Sequence, residues 1–253
     1  QDAGLVAPNL KGAATHKIVL DQFTALSRGE ATLDFSTVSP PLNSYQMRVL
    51  FALFDGCGWP RKLVVNGAAM RAEAFSDLGR SLAVFSTQQH LEVLQFSEHL
   101  TIDLPKLKAD DRFATPGGCT AQMIAVAVQF FSAWFWPEVL DFGGRMDAHP
   151  WEAAAALRAV EGTRVKQLRL EGLSYNLNEG AGDSLSFRGQ TLRSGALPGL
   201  PKILTAWRWP ETVCFSCTSV SGVELMAFVL AAKDAKGAAT ATIRFGQQAT
   251  LNV

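Results

Sequence analysis

Residues 60–97, PRKLVVNGAAMRAEAFSDLGRSLAVFSTQQHLEVLQFS, decide how the chain folds. Leu63 and Val65 flank Val64, and Leu94 and Phe96 flank Gln95 in the same way. Each short run therefore shows an apolar pair with the period of two that belongs to a half-buried β-strand. Between the runs, Met70, Phe75, Leu78, Leu82 and Phe85 recur at helical spacing, which predicts a helix over 69–85. The unit is strand, turn, helix, strand, and its second strand repeats its first roughly 30 residues later.

Outward from this unit, the same apolar pair recurs at Leu33 and Phe35, Leu140 and Phe142, Leu168 and Leu170, Val213 and Phe215, and Ile243 and Phe245, with Leu5 a worn first member. Helices are predicted over 16–27, with Val19, Phe23 and Leu26 inward and Gly29 as the stop, and over 43–54, with Met47, Leu50, Phe51 and Phe54 inward. Further helices are predicted over 115–134, over 150–160 between Pro150 and Gly162, and over 220–233. Two stretches break the rhythm. Residues 98–118 mix charge, proline and glycine, and residues 174–201 hold SYNLNEGAG and then Pro198 and Pro201. Both are expected to be insertions, the second running into a short or broken helix that ends near Trp207.

Three strands share an opening: Trp59-Pro60, Trp136-Pro137 and Trp209-Pro210 each precede an apolar residue by the same interval. Proline cannot continue a helix and suits extended chain, so Trp-Pro is a helix-to-strand corner. Three such corners in one register mark internal repetition.

These residues resemble the leucine-rich repeats of the ribonuclease-inhibitor type, best in HLEVLQF (Leu91, Leu94, Phe96) and VKQLRLEGL (Val165, Leu168, Leu170, Leu173). The resemblance implies an α/β fold: a leucine-rich-repeat-like solenoid of about seven units with two insertions, a curved parallel sheet backed by helices. It covers residues 1–253 as a single domain, expected to be a fragment of a larger chain or assembly because Gln1 is no initiator Met and the first unit starts mid-repeat. Where that family places Asn or Cys after the strand to bond turn amides, this chain has Val38, Ala68, His99, Arg145, Leu173, Thr218 and Gln248. Those amides must find other acceptors. The rival architecture, a doubly wound sheet covered on both faces, fits poorly with Asp34, Gln95, Asp141, Arg169 and Arg244 inside the strands.

With 23 basic and 23 acidic residues the formal net charge is zero, so no general field favours nucleic acid, and no run of basic residues supplies a local one. The longest strongly apolar stretch, 123–136, is too short for a membrane span. Cys214 and Cys217 form a CxxC, but in extended chain the two thiols point to opposite faces, so packed reduced thiols are expected instead of a metal or redox site. His16, His90, His99 and His149 are scattered, and no strand leads into a phosphate-binding glycine loop or a GxSxG nucleophile turn.

The expectation is therefore a non-catalytic, intracellular and cytoplasmic interaction or scaffold module with no cofactor and no metal. It engages a protein partner, or neighbouring subunits, through the residues between the buried pairs: Asp34, Gln95, Asp141, Arg169 and Arg244, with Val64 and Cys214 in the same row. Arg112 and Tyr175 are expected as exposed anchors near the insertions. The alternatives are a non-repeat α/β enzyme domain with a small-molecule substrate and a structural subunit of a large complex.

Overall fold

A computed structural model describes residues 20–252 apart from 26–27, 29–30, 39–43, 67–71, 86–89, 116–119, 144–149, 171, 178–182, 189, 191–195, 216–220, 236–240 and 246–249. Leu5, Val19, Leu26, Gly29, Met70 and Cys217 lie outside the described residues. The chain divides into two compact units, Gln1–Pro105 and Lys106–Val253, each with its own sheet.

The first unit contains helix α1 (20–25), β1 (Thr32–Phe35), α2 (Ser44–Cys57), β2 (Lys62–Val65), α3 (Ala72–Phe85), β3 (Val93–Gln95) and β4 (Thr101–Asp103). Strands β1, β2 and β3 are parallel, and β4 folds back antiparallel on β3. Helix α4 (Leu104–Asp110) follows.

The second unit contains β5 (Arg112–Ala114), α5 (Ala121–Ala133), β6 (Val139–Asp141), α6 (Pro150–Val160), β7 (Gln167–Leu170), β8 (Leu173–Asn176), β9 (Ser184–Ser186), α7 (Ala196–Ala206), β10 (Thr212–Cys214), α8 (Gly222–Lys233), β11 (Thr242–Arg244) and β12 (Thr250–Asn252). Its eight strands lie in chain order across one sheet. All neighbours are parallel except β8, which opposes both β7 and β9, and β12, which opposes β11. Among the described residues, helices α5 to α8 pack side by side in chain order, as α2 and α3 do in the first unit.

The two expected insertions are corrected by this topology. Residues 98–118 hold β4, α4 and β5, and residues 174–201 hold β9, nearly all of β8 and the start of α7. What recurs is a set of strand, helix, strand, helix, strand and reversed strand. It occurs as β1–β4 with α2 and α3, as β5–β8 with α5 and α6, and as β9–β12 with α7 and α8. The Trp-Pro corners open the middle strand of each set, roughly 75 residues apart. The reversed strands centre on one apolar residue each, in Thr101-Ile102-Asp103, Ser174-Tyr175-Asn176 and Thr250-Leu251-Asn252; the second adds Leu173 and so carries a pair, but it straddles the start of the expected insertion. Their register aligns that residue with the middles of its set, as Leu33, Leu63, Leu94 and Ile102, then Phe113, Leu140, Leu168 and Tyr175, then Leu185, Val213, Ile243 and Leu251. All of these whose side chains are described are buried.

Beside the rows run aromatic rings. Phe187, Phe215 and Phe245 stack with centroids 5.2 and 6.0 Å apart and planes within 11° of parallel. At the corners, Trp59 stacks on Phe51 of α2 at 5.7 Å, Trp136 packs on Phe131 of α5, and the Trp209 indole donates to Thr205 of α7. Helix α7 is not broken, although Pro201 lies inside it. Burial of Leu197, Leu200, Ile203 and Leu204 outweighs the lost backbone bond. Helix α8 is apolar on both sides: Phe228 is buried, whereas Val223, Met226 and Leu230 are exposed at spacings of three and four.

The turn amides find the acceptors that the missing Asn or Cys left open. The Asp34 carboxylate accepts from the Ser36 N–H, Asp141 from Gly143 and the Ser186 hydroxyl from Arg188, each two residues on. Replacing Phe215 by Ala is expected to lower stability by about 3–5 kcal/mol, and replacing exposed Val84 by Ala to change it by less than about 0.5 kcal/mol, both measured by urea unfolding.

Candidate functional site

Alternation along each strand leaves one residue between the buried pair on the face away from the helices. In the first unit, Asp34, Val64, Gln95 and Thr101 stand in one cross-strand row. Asp34 is exposed and Gln95 half-buried. The Asp34 N–H, on the sheet edge, donates to Gln22 of α1 at 2.8 Å.

In the second unit Asp141 on β6 stands directly opposite Arg169 on β7. Arg169 Nη1 lies 3.3 Å from Asp141 Oδ2, and Arg112 Nη2 from β5 reaches the same oxygen at 3.0 Å. The other oxygen, Oδ1, is held by the Gly143 amide at 3.0 Å, in a turn that Gly143 closes at φ +75°. The carboxylate is therefore nearly buried while both guanidinium groups stay about half exposed. Each arginine spends one of its five N–H donors on Asp141, so the cluster keeps one net positive charge and unspent donors. Arg112 was expected as a loop anchor, because β5 was hidden in a supposed insertion; the Asp141 partner is the role that sequence alone missed. Tyr175 is corrected more sharply. It is not an exposed anchor but is fully buried in the middle of β8, with its ring 5.6 Å from Phe187.

Arg244 is exposed on β11, opposite Cys214 of β10, which in turn faces Ser186 of β9. It lies four strands from Arg169, so the structure does not bring these two together. Between them the outward residues are uncharged: Ser174, Asn176, Ser186 and Cys214. Strand β8 is steadied where its ladder with β9 runs out. The Gln190 amide donates to the Ser174 carbonyl at 2.6 Å and accepts its N–H at 3.0 Å. Among the described outward residues of β5 to β11, Arg112, Arg169 and Arg244 face a single acid, Asp141.

At the leading ends of the strands sits a different set of charges. Arg61 before β2 bonds Glu92 before β3, and Glu138 before β6 bonds Lys166 before β7 at 2.8 Å. Asp111, in the left-handed region at φ +51°, accepts from the Glu138 N–H and pairs with Arg164. The hydrogen bond from Lys166 holds the Glu138 carboxyl below the usual glutamate range. A cavity of about 440 Å³ opens nearby among Val165, Leu177, Trp207, Glu161, Asp183 and Arg208. Arg208 bonds both Glu161 and Asp183, and Trp207 Nε1 also donates to Glu161, so the charged lining braces itself. The bond to Asp183 is the main reason that the Arg208 pKa is raised.

His90 and His99 flank β3, and Cys214 carries a reduced thiol; His16, His149 and Cys119 lie outside the described residues. Among the described residues no three His, Cys, Asp or Glu side chains converge as metal ligands, and no helix is long and apolar enough to cross a membrane. No family model matches the chain, and neither a curated protein nor a solved structure is significantly similar to it.

Asp141→Ala is expected to cost about 1–3 kcal/mol in chemical denaturation, since the Gly143 amide and two arginines lose one acceptor together. For Glu138 the folded-state pKa is depressed, so its contribution is present above the unfolded glutamate value and is lost as pH falls through the lower folded one. A carboxyl-carbon NMR titration should place Glu138 below the usual range in the native protein and return it upward in Lys166→Ala.

Proposed function

We propose that the chain is a non-catalytic interaction module of leucine-rich-repeat-like solenoid build, which binds a protein partner across the uncovered faces of its sheets. The observation that carries this reading is the Arg112–Asp141–Arg169 cluster, in which a nearly buried carboxylate fixes two half-exposed guanidinium groups outward. Fixing an arginine before a partner arrives lowers the ordering cost of the contact, and arginine is among the residues that dominate binding energy. Asp34 and Gln95 serve the same role on the first unit, and Arg244 extends the surface of the second. No cofactor is required for such a role, and its setting is intracellular.

A second reading, a structural subunit of a larger assembly, is favoured by the exposed apolar stripe Val223, Met226 and Leu230 on α8. The two readings separate in one experiment. With the chain as bait, Arg169→Glu and Arg244→Glu are expected to lose the captured protein, while Lys202→Glu on exposed α7 and Met226→Glu on α8 retain it. Retention by both arginine variants, with loss in Met226→Glu, overturns the sheet-face reading in favour of the subunit.

A further inference from the structure

We infer that the partner segment is an extended acidic peptide lying across the strands of the second unit, with one carboxylate held between Arg112 and Arg169 and a second held by Arg244. This inference rests on the sheet-face reading and names its ligand chemistry. Three observations support it.

The first is charge. The described outward residues of β5 to β11 carry three arginines and one acid, and that acid already has both oxygens engaged. An arriving carboxylate meets unspent donors on Arg112 and Arg169 and no free acid between them, whereas an arriving cation meets two guanidinium groups around the one acid.

The second is spacing. Arg169 and Arg244 stand four strands apart. At about 4.8 Å per strand, and with a two-residue offset along the strands, the anchors lie about 20 Å apart. Extended chain covers about 3.3 Å per residue, so acidic side chains about six positions apart reach both anchors at once.

The third is the surface between them. Ser174 and Cys214 are half-buried, Asn176 and Ser186 are buried, and all four are small and uncharged, so a peptide passes over β8 to β10 without burying an opposed charge.

The test uses the full chain and fluorescein-labelled peptides of Ser, Gly and Thr carrying two Asp-Asp pairs, with the pairs separated by three, six or ten positions. Anisotropy at low salt should show the six-position peptide binding about fivefold tighter than the others, because only it gains a second exposed ion pair. Arg169→Ala and Arg244→Ala should each remove about that factor and erase the spacing preference. Raising the salt should weaken every complex.

Arginine-dependent binding with no preference among spacings overturns the two-anchor geometry and leaves the sheet face as a protein-binding surface. If no acidic peptide binds while Arg169→Glu still loses the captured protein, the acidic class is wrong and the surface stands. If Arg169→Glu and Arg244→Glu both keep the captured protein, the surface itself fails, whatever the peptides do.

Discussion

Strands of three or four residues hold this chain together only because each places one apolar side chain in a shared cross-strand row. A strand that short has too few ladder bonds to persist alone, and a fully buried leucine is worth about 1.5–3 kcal/mol. Slipping any strand by one residue would turn its apolar pair outward and its polar residue into the helices. The row thus fixes register, and register fixes which side chains look out. The Trp-Pro corners secure the same condition from the helix side, since each Trp ties the start of a middle strand to the helix before it.

The outward face inherits its order from this burial. Asp141 and Arg169 meet because Leu140 and Leu168 are paired beneath them, and Arg112 joins because Phe113 occupies the same row. The charged cluster is therefore built on rigid, short strands instead of on loops. That placement keeps long arginine side chains from wandering, which is what a recognition surface needs. The turn that follows β6 draws on the same aspartate, so one residue serves both the chain reversal and the charge array.

Much of the architecture was legible. The helices over 150–160 and 43–54 and the inward residues Met47, Leu50, Phe51 and Phe54 follow directly from spacing and from Pro150 and Gly162. The strands at Leu33, Leu63, Leu94, Leu140, Leu168, Val213 and Ile243 announce themselves by paired apolar residues. The strands at Phe113 and Ile102 do not, because each three-residue strand offers one large apolar side chain, and the pairs Leu173 with Tyr175 and Leu185 with Phe187 were masked by the glycines and charges around them. A usable signal was present in Leu185-Ser186-Phe187, which matches Leu140-Asp141-Phe142, and in the recurring hydroxyl, apolar, Asp or Asn triplet. Missing β5 and β8 hid the partner of Asp141 and left Tyr175 looking exposed. Helix α7 was obscured because local proline chemistry was weighed without the core that overrides it.

The salt links at the leading ends of the strands carry opposite polarity in the two units: Arg61 then Glu92 in one, Glu138 then Lys166 in the other. The apolar rows of the sets are nearly interchangeable, so a folding chain could zip β2 to β7, or β6 to β3. Those misalliances would set Arg61 beside Lys166 and Glu138 beside Glu92, like charge against like. A quasi-repetitive polymer is thereby taught which neighbour is its own.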